Sequence, residues 1–163
     1  MKIPVKVLNG TESNQRLRLR LLEKVEPLLD TLKENKKSLS PSSLQLAFLG
    51  DAVYELYVRE HVLDGISGHV DKLNKASKKL SMAVTQAKIA DLLVKEEKLS
   101  EEELSVFKRG RNAKSASLPK SCTPAEYRKA TGLEALMGYL FLTDQKDRIN
   151  ELLSYGISGV EAR

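Results

Sequence analysis

Apolar residues recur along most of the chain at steps of three and four, which is the period of an α-helix. The clearest series covers residues 73–94, and it predicts one helix or two consecutive helices. Residues 44–63 are apolar nearly all the way round, which predicts a central helix rather than a surface one. A last amphipathic helix is expected around Ile149, Leu152 and Leu153. Because no alternating segments predict paired strands, we expect an all-α fold.

Residues typical of helix ends predict where several of these helices begin. The dipeptide Ser-Pro at 40–41 is expected to open the apolar helix that follows it, as an N-cap with proline at the first helical position. The sequences SEEE, residues 100–103, and TPAE, residues 123–126, match the capping box and predict two further helix starts. Residues 109–122 are rich in Ser, Gly, Lys and Arg, and we expect them to form a loop.

The chain of 163 residues is long enough for one domain with a hydrophobic core and an additional arm. We expect an N-terminal arm and helix over residues 1–39, the main domain over residues 40–157, and a C-terminal tail over residues 158–163. The 27 basic residues exceed the 22 acidic ones and give a net charge of +5. That excess permits a nucleic acid as a partner without requiring one.

Composition also excludes several classes of site. Cys122 is the only cysteine, so neither an internal disulfide nor a zinc site made of cysteines is possible. The N-terminal region has no apolar run long enough for a signal peptide or a membrane span. We therefore expect no membrane partner and a reducing compartment.

Two carboxylates stand out because each lies within an otherwise apolar helix. Asp51 occurs in LQLAFLGDAVYELYV, and Glu134 occurs in GLEALMGYLFL. A buried charge is costly unless it is paired, hydrogen-bonded or bound to a metal. Gly50 precedes Asp51, and Gly138 lies one turn after Glu134. Since glycine allows close approach, the two helices could cross and bring their carboxylates together.

Spacing alone leaves two interpretations of these acids open. Paired carboxylates from facing helices are a common way to hold a divalent cation. Alternatively, each acid pairs with an Arg or Lys elsewhere in the chain. Glu55 lies one turn after Asp51, and Arg59 one turn further on is its expected ion-pair partner. Asp51 has no basic residue one turn away in either direction.

Basic residues concentrate in two segments. The sequence KRGRNAK, residues 108–114, suits contacts with phosphates, and no aromatic residues interleave there for base stacking. This pattern favours binding to the backbone of a double strand. The second segment is a stripe of lysines in the 73–94 region, for which a solvated helix face is an equally good interpretation. The candidate residues are Lys108, Arg109, Arg111, Asn112 and Lys114, and, in the second segment, Lys72, Lys75 and Lys79.

The motifs LAFLGDAVYE, KRGRNAKS and GLEALMGYLFL, in this order, resemble the ribonuclease III endonuclease domain. The closest resemblance is to the short form of that family, Mini-ribonuclease III, which has no double-stranded RNA-binding domain. The likeness covers roughly residues 40–157, and it implies the helical fold of that domain. It also implies that Asp51 and Glu134 are catalytic residues that bind Mg²⁺, and that the basic residues of KRGRNAKS contact RNA.

The activity implied by this resemblance is metal-dependent hydrolysis of phosphodiester bonds in double-stranded RNA, leaving 5′-phosphate and 3′-hydroxyl ends. The family resemblance further implies a homodimer. Because the short form is similar to enzymes that trim ribosomal RNA precursors, such a precursor is the expected substrate. The expected location is the cytoplasm, with the stroma of a plastid as the alternative if a targeting peptide has been removed.

The sequence departs from the broad family at three acidic positions. Leu44 and Ala47 stand where the family usually has glutamates, and Thr131 stands where it usually has an aspartate. An alternative function is therefore a catalytically inactive RNA-binding or ribosome-associated protein of the same fold. A helical protein–protein adaptor with a basic surface is a third interpretation. We favour the active enzyme because both central acids and the basic segment are retained together.

Overall fold

The computed structural model describes residues 40–65, 68–114 and 121–162, and these residues form six helices and no strand. The helices are α1 (Ser43–Gly65), α2 (Val70–Ser81), α3 (Ala83–Lys95), α4 (Glu101–Asn112), α5 (Pro124–Leu142) and α6 (Lys146–Glu161). The predicted all-α fold is confirmed. The arm and helix expected in residues 1–39 lie outside the described residues. Residues 158–161, expected in the tail, continue α6.

Both predicted capping boxes are present. The Ser100 hydroxyl accepts a hydrogen bond from the main-chain N–H of Glu103, and the Glu103 carboxylate accepts one from Ser100 N–H. Thr123 and Glu126 make the same reciprocal pair at the start of α5. Each box satisfies main-chain donors that the first helical turn leaves unpaired, and so fixes where the helix begins.

The start of α1 differs from the prediction by two residues. The helix begins at Ser43, and its cap is Ser42 rather than Ser40. The Ser42 hydroxyl accepts from Gln45 N–H at 3.3 Å, and Ser42 N–H donates to Gln45 Oε1 at 2.8 Å. This reciprocal pair has a glutamine in the third helical position, so it is also a capping box. It satisfies two main-chain donors, whereas Ser40 before Pro41 would offer a single cap, and the helix therefore begins after Ser42.

The long series of residues 73–94 forms two helices, one of the two forms that the pattern predicted. Met82 has extended backbone angles between α2 and α3. Side chains from the start of α3 reach back across this junction: Thr85 Oγ1 donates to the carbonyl of Lys79 at 2.7 Å. The junction is therefore held by side-chain hydrogen bonds as well as by packing.

The prediction of a loop over residues 109–122 is wrong for its first part, because α4 continues to Asn112. Gly110 is one of the residues whose types predicted the loop. It is buried against α5, where a methyl group at its position would lie 2.6 Å from the Cβ of Ala135. The glycine thus allows two helices to approach and does not end one. Residues 115–120 lie outside the described part of the chain.

The helix at the centre of the core is α5 rather than α1. Leu133, Leu136, Met137 and Leu140 on α5 are fully buried, and α5 packs against α1, α3 and α4. Helix α1 buries one side, including Val53, Tyr54 and Val58, but it also carries apolar residues on an exposed side. The prediction of a central helix rather than a surface one is therefore wrong for α1. Its all-round apolar character arises from one face in the core and a second face towards solvent.

An ion pair with one buried partner links α4 to α6. The side chain of Glu103 is 7% exposed, and its carboxylate accepts hydrogen bonds of 2.8 and 2.9 Å from the Arg148 guanidinium. Arg148 also donates to the carbonyl of Lys98 at 2.6 Å.

Among the described helices, none is long and apolar enough to cross a membrane.

Candidate active site

Helices α1 and α5 cross in direct main-chain contact, and glycines make this contact possible. Gly50 on α1 lies against the main chain of Glu134, so that a methyl group at position 50 would overlap the Glu134 carbonyl oxygen. Gly138 on α5 lies in the same way against the carbonyl of Leu46. The close crossing expected from the two glycines is confirmed. It places the main chain of Glu134 against Gly50, which is the neighbour of Asp51 in the sequence.

The carboxylates of Asp51 and Glu134 interact electrostatically across this crossing. Burial and the negative charge of Asp51 raise the pKa of Glu134 to about 7, while a hydrogen bond from the Gln86 side chain acts in the opposite direction. Asp51 is exposed rather than buried in its apolar segment, and partial desolvation together with the charge of Glu55 raises its pKa. No basic side chain of the described residues is among the causes of either pKa shift. The two carboxylates therefore make this part of the surface negative in charge.

The side chains of Tyr54 and Gln86 both interact with Glu134. Tyr54 is fully buried, its hydroxyl donates to the carbonyl of Leu80 at 2.9 Å, and burial together with the negative charge of Glu134 raises its pKa. Gln86 on α3 is 2% exposed, and its Nε2 lies 3.4 Å from the carbonyl of Ser81. The Oε1 atom of Gln86 is buried and has no hydrogen-bond partner among the described residues.

These groups are compatible with a hard divalent cation. In the described residues, no group of three or more His, Cys, Asp and Glu side chains is arranged to hold a metal. The available oxygens are those of the Asp51 and Glu134 carboxylates. Mg²⁺ prefers oxygen ligands and keeps several waters, so one or two carboxylates beside a phosphate group suffice for it.

Glu55 has the partner that its spacing predicted. Arg59 lies 3.2 Å from the Glu55 carboxylate, and both side chains are substantially exposed. Such an exposed pair within one helix adds little stability. Within the described residues, no salt bridge involves Asp51 or Glu134, so the metal hypothesis depends on these two acids.

The predicted RNA-contacting residues lie on two different helices. Lys108, Arg109 and Asn112 on α4 line a groove of about 870 Å³ that is also lined by Leu44 and Leu104. Arg111 lies over the Phe107 ring, 6.0 Å from its centre, and Lys114 is exposed just after the helix. The lysines of the second segment are all exposed on α2, namely Lys72, Lys75 and Lys79. Both groups are therefore accessible to a large anionic partner.

Sequence reasoning missed Gln86, although a signal was available. Gln86 lies three residues before Ile89 and seven before Leu93, and both of these apolar residues are fully buried. A glutamine that shares the helical spacing of core residues points towards the core.

The chain matches the family model described as the Ribonuclease III domain over residues 44–145. The Mini-ribonuclease 3 of Enterococcus faecalis is 40% identical over 119 residues, which cover 73% of this chain and 90% of that protein. The Mini-ribonuclease 3 of Staphylococcus aureus is 37% identical over 136 residues, which cover 83% of this chain and 100% of that protein.

A solved structure agrees with these sequence relatives. The crystal structure of a protein from Fusobacterium nucleatum superimposes with a TM-score of 0.66 at 36% identity, and covers 74% of this chain and 94% of that chain. The chain therefore belongs to the ribonuclease III family, in the short-form group called Mini-ribonuclease III.

Proposed function

We propose that this ribonuclease III family protein is a Mg²⁺-dependent endoribonuclease that hydrolyses phosphodiester bonds in double-stranded RNA. The observation that carries the proposal is the convergence of Asp51 and Glu134 at the glycine-mediated crossing of α1 and α5. A carboxylate pair that lacks a basic partner is unfavourable on its own. It becomes favourable when a divalent cation lies between the carboxylates.

In this proposal Asp51 and Glu134 are the catalytic residues, and both hold the ion. When bound, Mg²⁺ would favour the formation of a nucleophile from water and stabilise negative charge on the phosphate. The protein fixes both carboxylates on rigid helices, which keeps their spacing constant during the reaction. Because the pKa of Glu134 is about 7 in the absence of metal, binding of the ion requires loss of a proton near neutral pH.

The basic residues of α4 and α2 would hold the RNA through its phosphates. Arg109 and Arg111 lie in the last turn of α4, where the helix dipole favours cations, and they are positioned by Ser105 and by the Phe107 ring. Contacts of this kind carry no sequence information and weaken as salt rises. The remaining candidates are Lys108, Asn112, Lys114, Lys72, Lys75 and Lys79.

A homodimer is the proposed active assembly, because α1 presents an apolar stripe to solvent. Phe48 is 86% exposed, and Leu44, Leu56 and Leu63 lie along the same helix with exposures of 40–66%. Adjacent exposed apolar residues of this size mark an interaction surface. A two-fold pairing of α1 with a second copy would cover the stripe and place two active sites in one assembly.

The proposed substrate is a ribosomal RNA precursor, and the proposed location is the bacterial cytoplasm. The bacterial origin of the Mini-ribonuclease 3 relatives supports the location, and the substrate is the one that the family resemblance implies. A plastid stroma is the alternative location.

Binding and cleavage measurements separate this proposal from its alternatives. The protein should cut a duplex from a ribosomal RNA precursor in Mg²⁺ and leave 5′-phosphate ends, and it should leave the separated strands intact. Replacing Arg109 and Arg111 with alanine should weaken duplex binding and reduce the dependence of affinity on salt by about two phosphate contacts. Binding without cleavage would favour the inactive RNA-binding protein, and unchanged affinity in the double variant would refute the assigned RNA contacts.

A further inference from the structure

A pocket of about 380 Å³ lies between α1 and α2, beside the candidate active site. Its α1 wall is formed by Glu55 and Arg59, which follow Asp51 at steps of four and so share its face of the helix. At a rise of about 1.5 Å per residue, Arg59 lies about 12 Å along α1 from Asp51. The pocket is therefore within reach of an RNA duplex bound at Asp51.

Polar residues form the α2 wall of this pocket. Four residues at steps of three and four share this face of α2, namely Asn74, Ser77, Lys78 and Ser81. The apolar residues of α2 pack instead into the core. Ser77 is only 8% exposed, although a helix face that packs against another helix is usually apolar. Side chains that can donate hydrogen bonds at this place therefore favour a polar ligand in the pocket.

The charges of the pocket favour an anion as that ligand. Lys78 is exposed, and no ion pair in the described part of the chain involves it. One Nη atom of Arg59 donates to the Glu55 carboxylate at 3.2 Å, and the guanidinium has further N–H groups for a ligand. Because Glu55 offsets only one of the two cations, the pocket keeps an excess of positive charge.

We propose that this pocket is a phosphate subsite, in which Arg59, Lys78 and Asn74 hold a backbone phosphate of the RNA duplex near the phosphodiester bond that is cut. This inference rests on the proposed function, which supplies the duplex. Arginine, lysine, asparagine and serine all donate to phosphates in protein–DNA complexes. The subsite is separate from the basic stripe on another face of α2, which consists of Lys72, Lys75 and Lys79.

The subsite would position the strand without taking part in the reaction. The phosphate that it holds does not react, so its contacts stabilise the bound substrate and the transition state equally. Loss of one of these contacts should therefore raise KM and leave kcat nearly unchanged. The contacts carry no sequence information, so the effect should be the same for duplexes of different sequence.

The test is binding of a short RNA duplex without divalent metal, measured by fluorescence anisotropy at several KCl concentrations. Lys78→Ala should weaken binding roughly five- to tenfold at about 0.1 M KCl, and it should lower the slope of log K against log salt by about one, because one phosphate contact is lost. Asn74→Leu should weaken binding about tenfold and leave that slope unchanged, since it removes an uncharged donor. Both residues are exposed on α2, so thermal unfolding of each variant should stay close to that of the parent protein.

Lys95→Ala is the matched control. Lys95 is an exposed lysine in the last turn of α3, outside the pocket, so the variant loses the same charge without losing a contact of the subsite. Its affinity should stay within about twofold of the parent protein, because salt screens a charge that does not contact the RNA. Equal losses in Lys78→Ala and Lys95→Ala would show that only net charge matters, and they would overturn the inference.

A double variant tests Arg59 at constant net charge. Glu55→Gln together with Arg59→Gln removes one charge of each sign, so a change in affinity reports the lost contact rather than a lost charge. Duplex binding should weaken about tenfold, as expected for a hydrogen bond to a charged group. Unchanged affinity in this double variant would refute the role of Arg59 in the subsite.

Cleavage assays in Mg²⁺ separate failure of this inference from failure of the proposed function. The expected result is a higher KM for Lys78→Ala and Asn74→Leu, with kcat close to that of the parent protein. If the parent binds and cuts the duplex while both variants match it in affinity and KM, the enzyme stands and the subsite is refuted. If the parent does not bind the duplex, both are refuted.

Discussion

Replacing Glu134 with glutamine should make the metal-free protein more stable while it removes the activity. The pKa of this carboxyl rises from 4.5 to about 7 on folding, so the native state binds more protons than the unfolded state between these pH values. Stability due to this group therefore falls as pH rises from about 4.5 to 7, and the loss is complete above 7. The shift corresponds to about 3 kcal/mol, and Glu134→Gln should recover up to that amount at pH 8.

Thermal unfolding at pH 5 and pH 8 without metal provides the assay. For a chain of this size we expect Tm to rise by roughly 6–12 °C at pH 8, with a much smaller rise at pH 5. Mg²⁺ should stabilise the parent protein and have no such effect on the variant. Glu126→Gln is the control on the same helix, because hydrogen bonds from Thr123 lower the pKa of Glu126, and no gain at pH 8 is expected. An unchanged or lower Tm for Glu134→Gln at pH 8 would refute the reasoning.

Three further substitutions test the packing and the assembly. Gly50→Ala should lower the free energy of unfolding, measured in urea, by more than about 3 kcal/mol, because its methyl group would overlap the main chain of α5. Gly65→Ala is the control and should leave the free energy of unfolding nearly unchanged, because a methyl group at position 65 would meet no atom within 4 Å. Arg148→Met should lower the free energy of unfolding by about 3 kcal/mol at pH 7, because it leaves the buried Glu103 carboxylate without its positive partner. The loss should be smaller below pH 4.5, where the carboxylate takes up a proton, and equal losses at both pH values would contradict this explanation. Phe48→Lys should convert a dimer into a monomer in sedimentation experiments, and a parent protein that is already monomeric would contradict the proposed interface.

Much of the fold could be predicted from sequence because its signals are local. Helical spacing and two capping boxes predicted α4, α5 and the α2–α3 pair within a few residues. The errors arose where a residue type has two uses. Glycine is common in loops, but Gly110 lies within α4 and allows close packing against α5. Pro41 suggested a helix start two residues before the one that the Ser42–Gln45 capping box sets. The spacing of residues in the sequence does not show which of the two roles such a residue has, because tertiary contacts decide it.

For the candidate site, the sequence predicted the crossing but not its surroundings. Gly50 and Gly138 predicted the approach of two helices, and the approach is present. Gln86 was missed because its importance depends on which neighbours α3 meets in three dimensions. The sequence did not separate the exposed stripe around Phe48 from the core face of α1, since apolar periodicity is the same for a core face and an interface. The roles of Asp51, Glu134 and the basic residues stay predictions.

Cleavage of a long double-stranded RNA in Mg²⁺ by the protein and by Asp51→Asn tests the central claim most directly. The substitution keeps the shape of the side chain and removes the charge that the ion needs. We predict cleavage by the parent protein, loss of cleavage in the variant, and duplex binding by both. Equal cleavage by the two proteins would contradict the assignment of Asp51, and binding without cleavage by the parent would contradict the proposed enzyme.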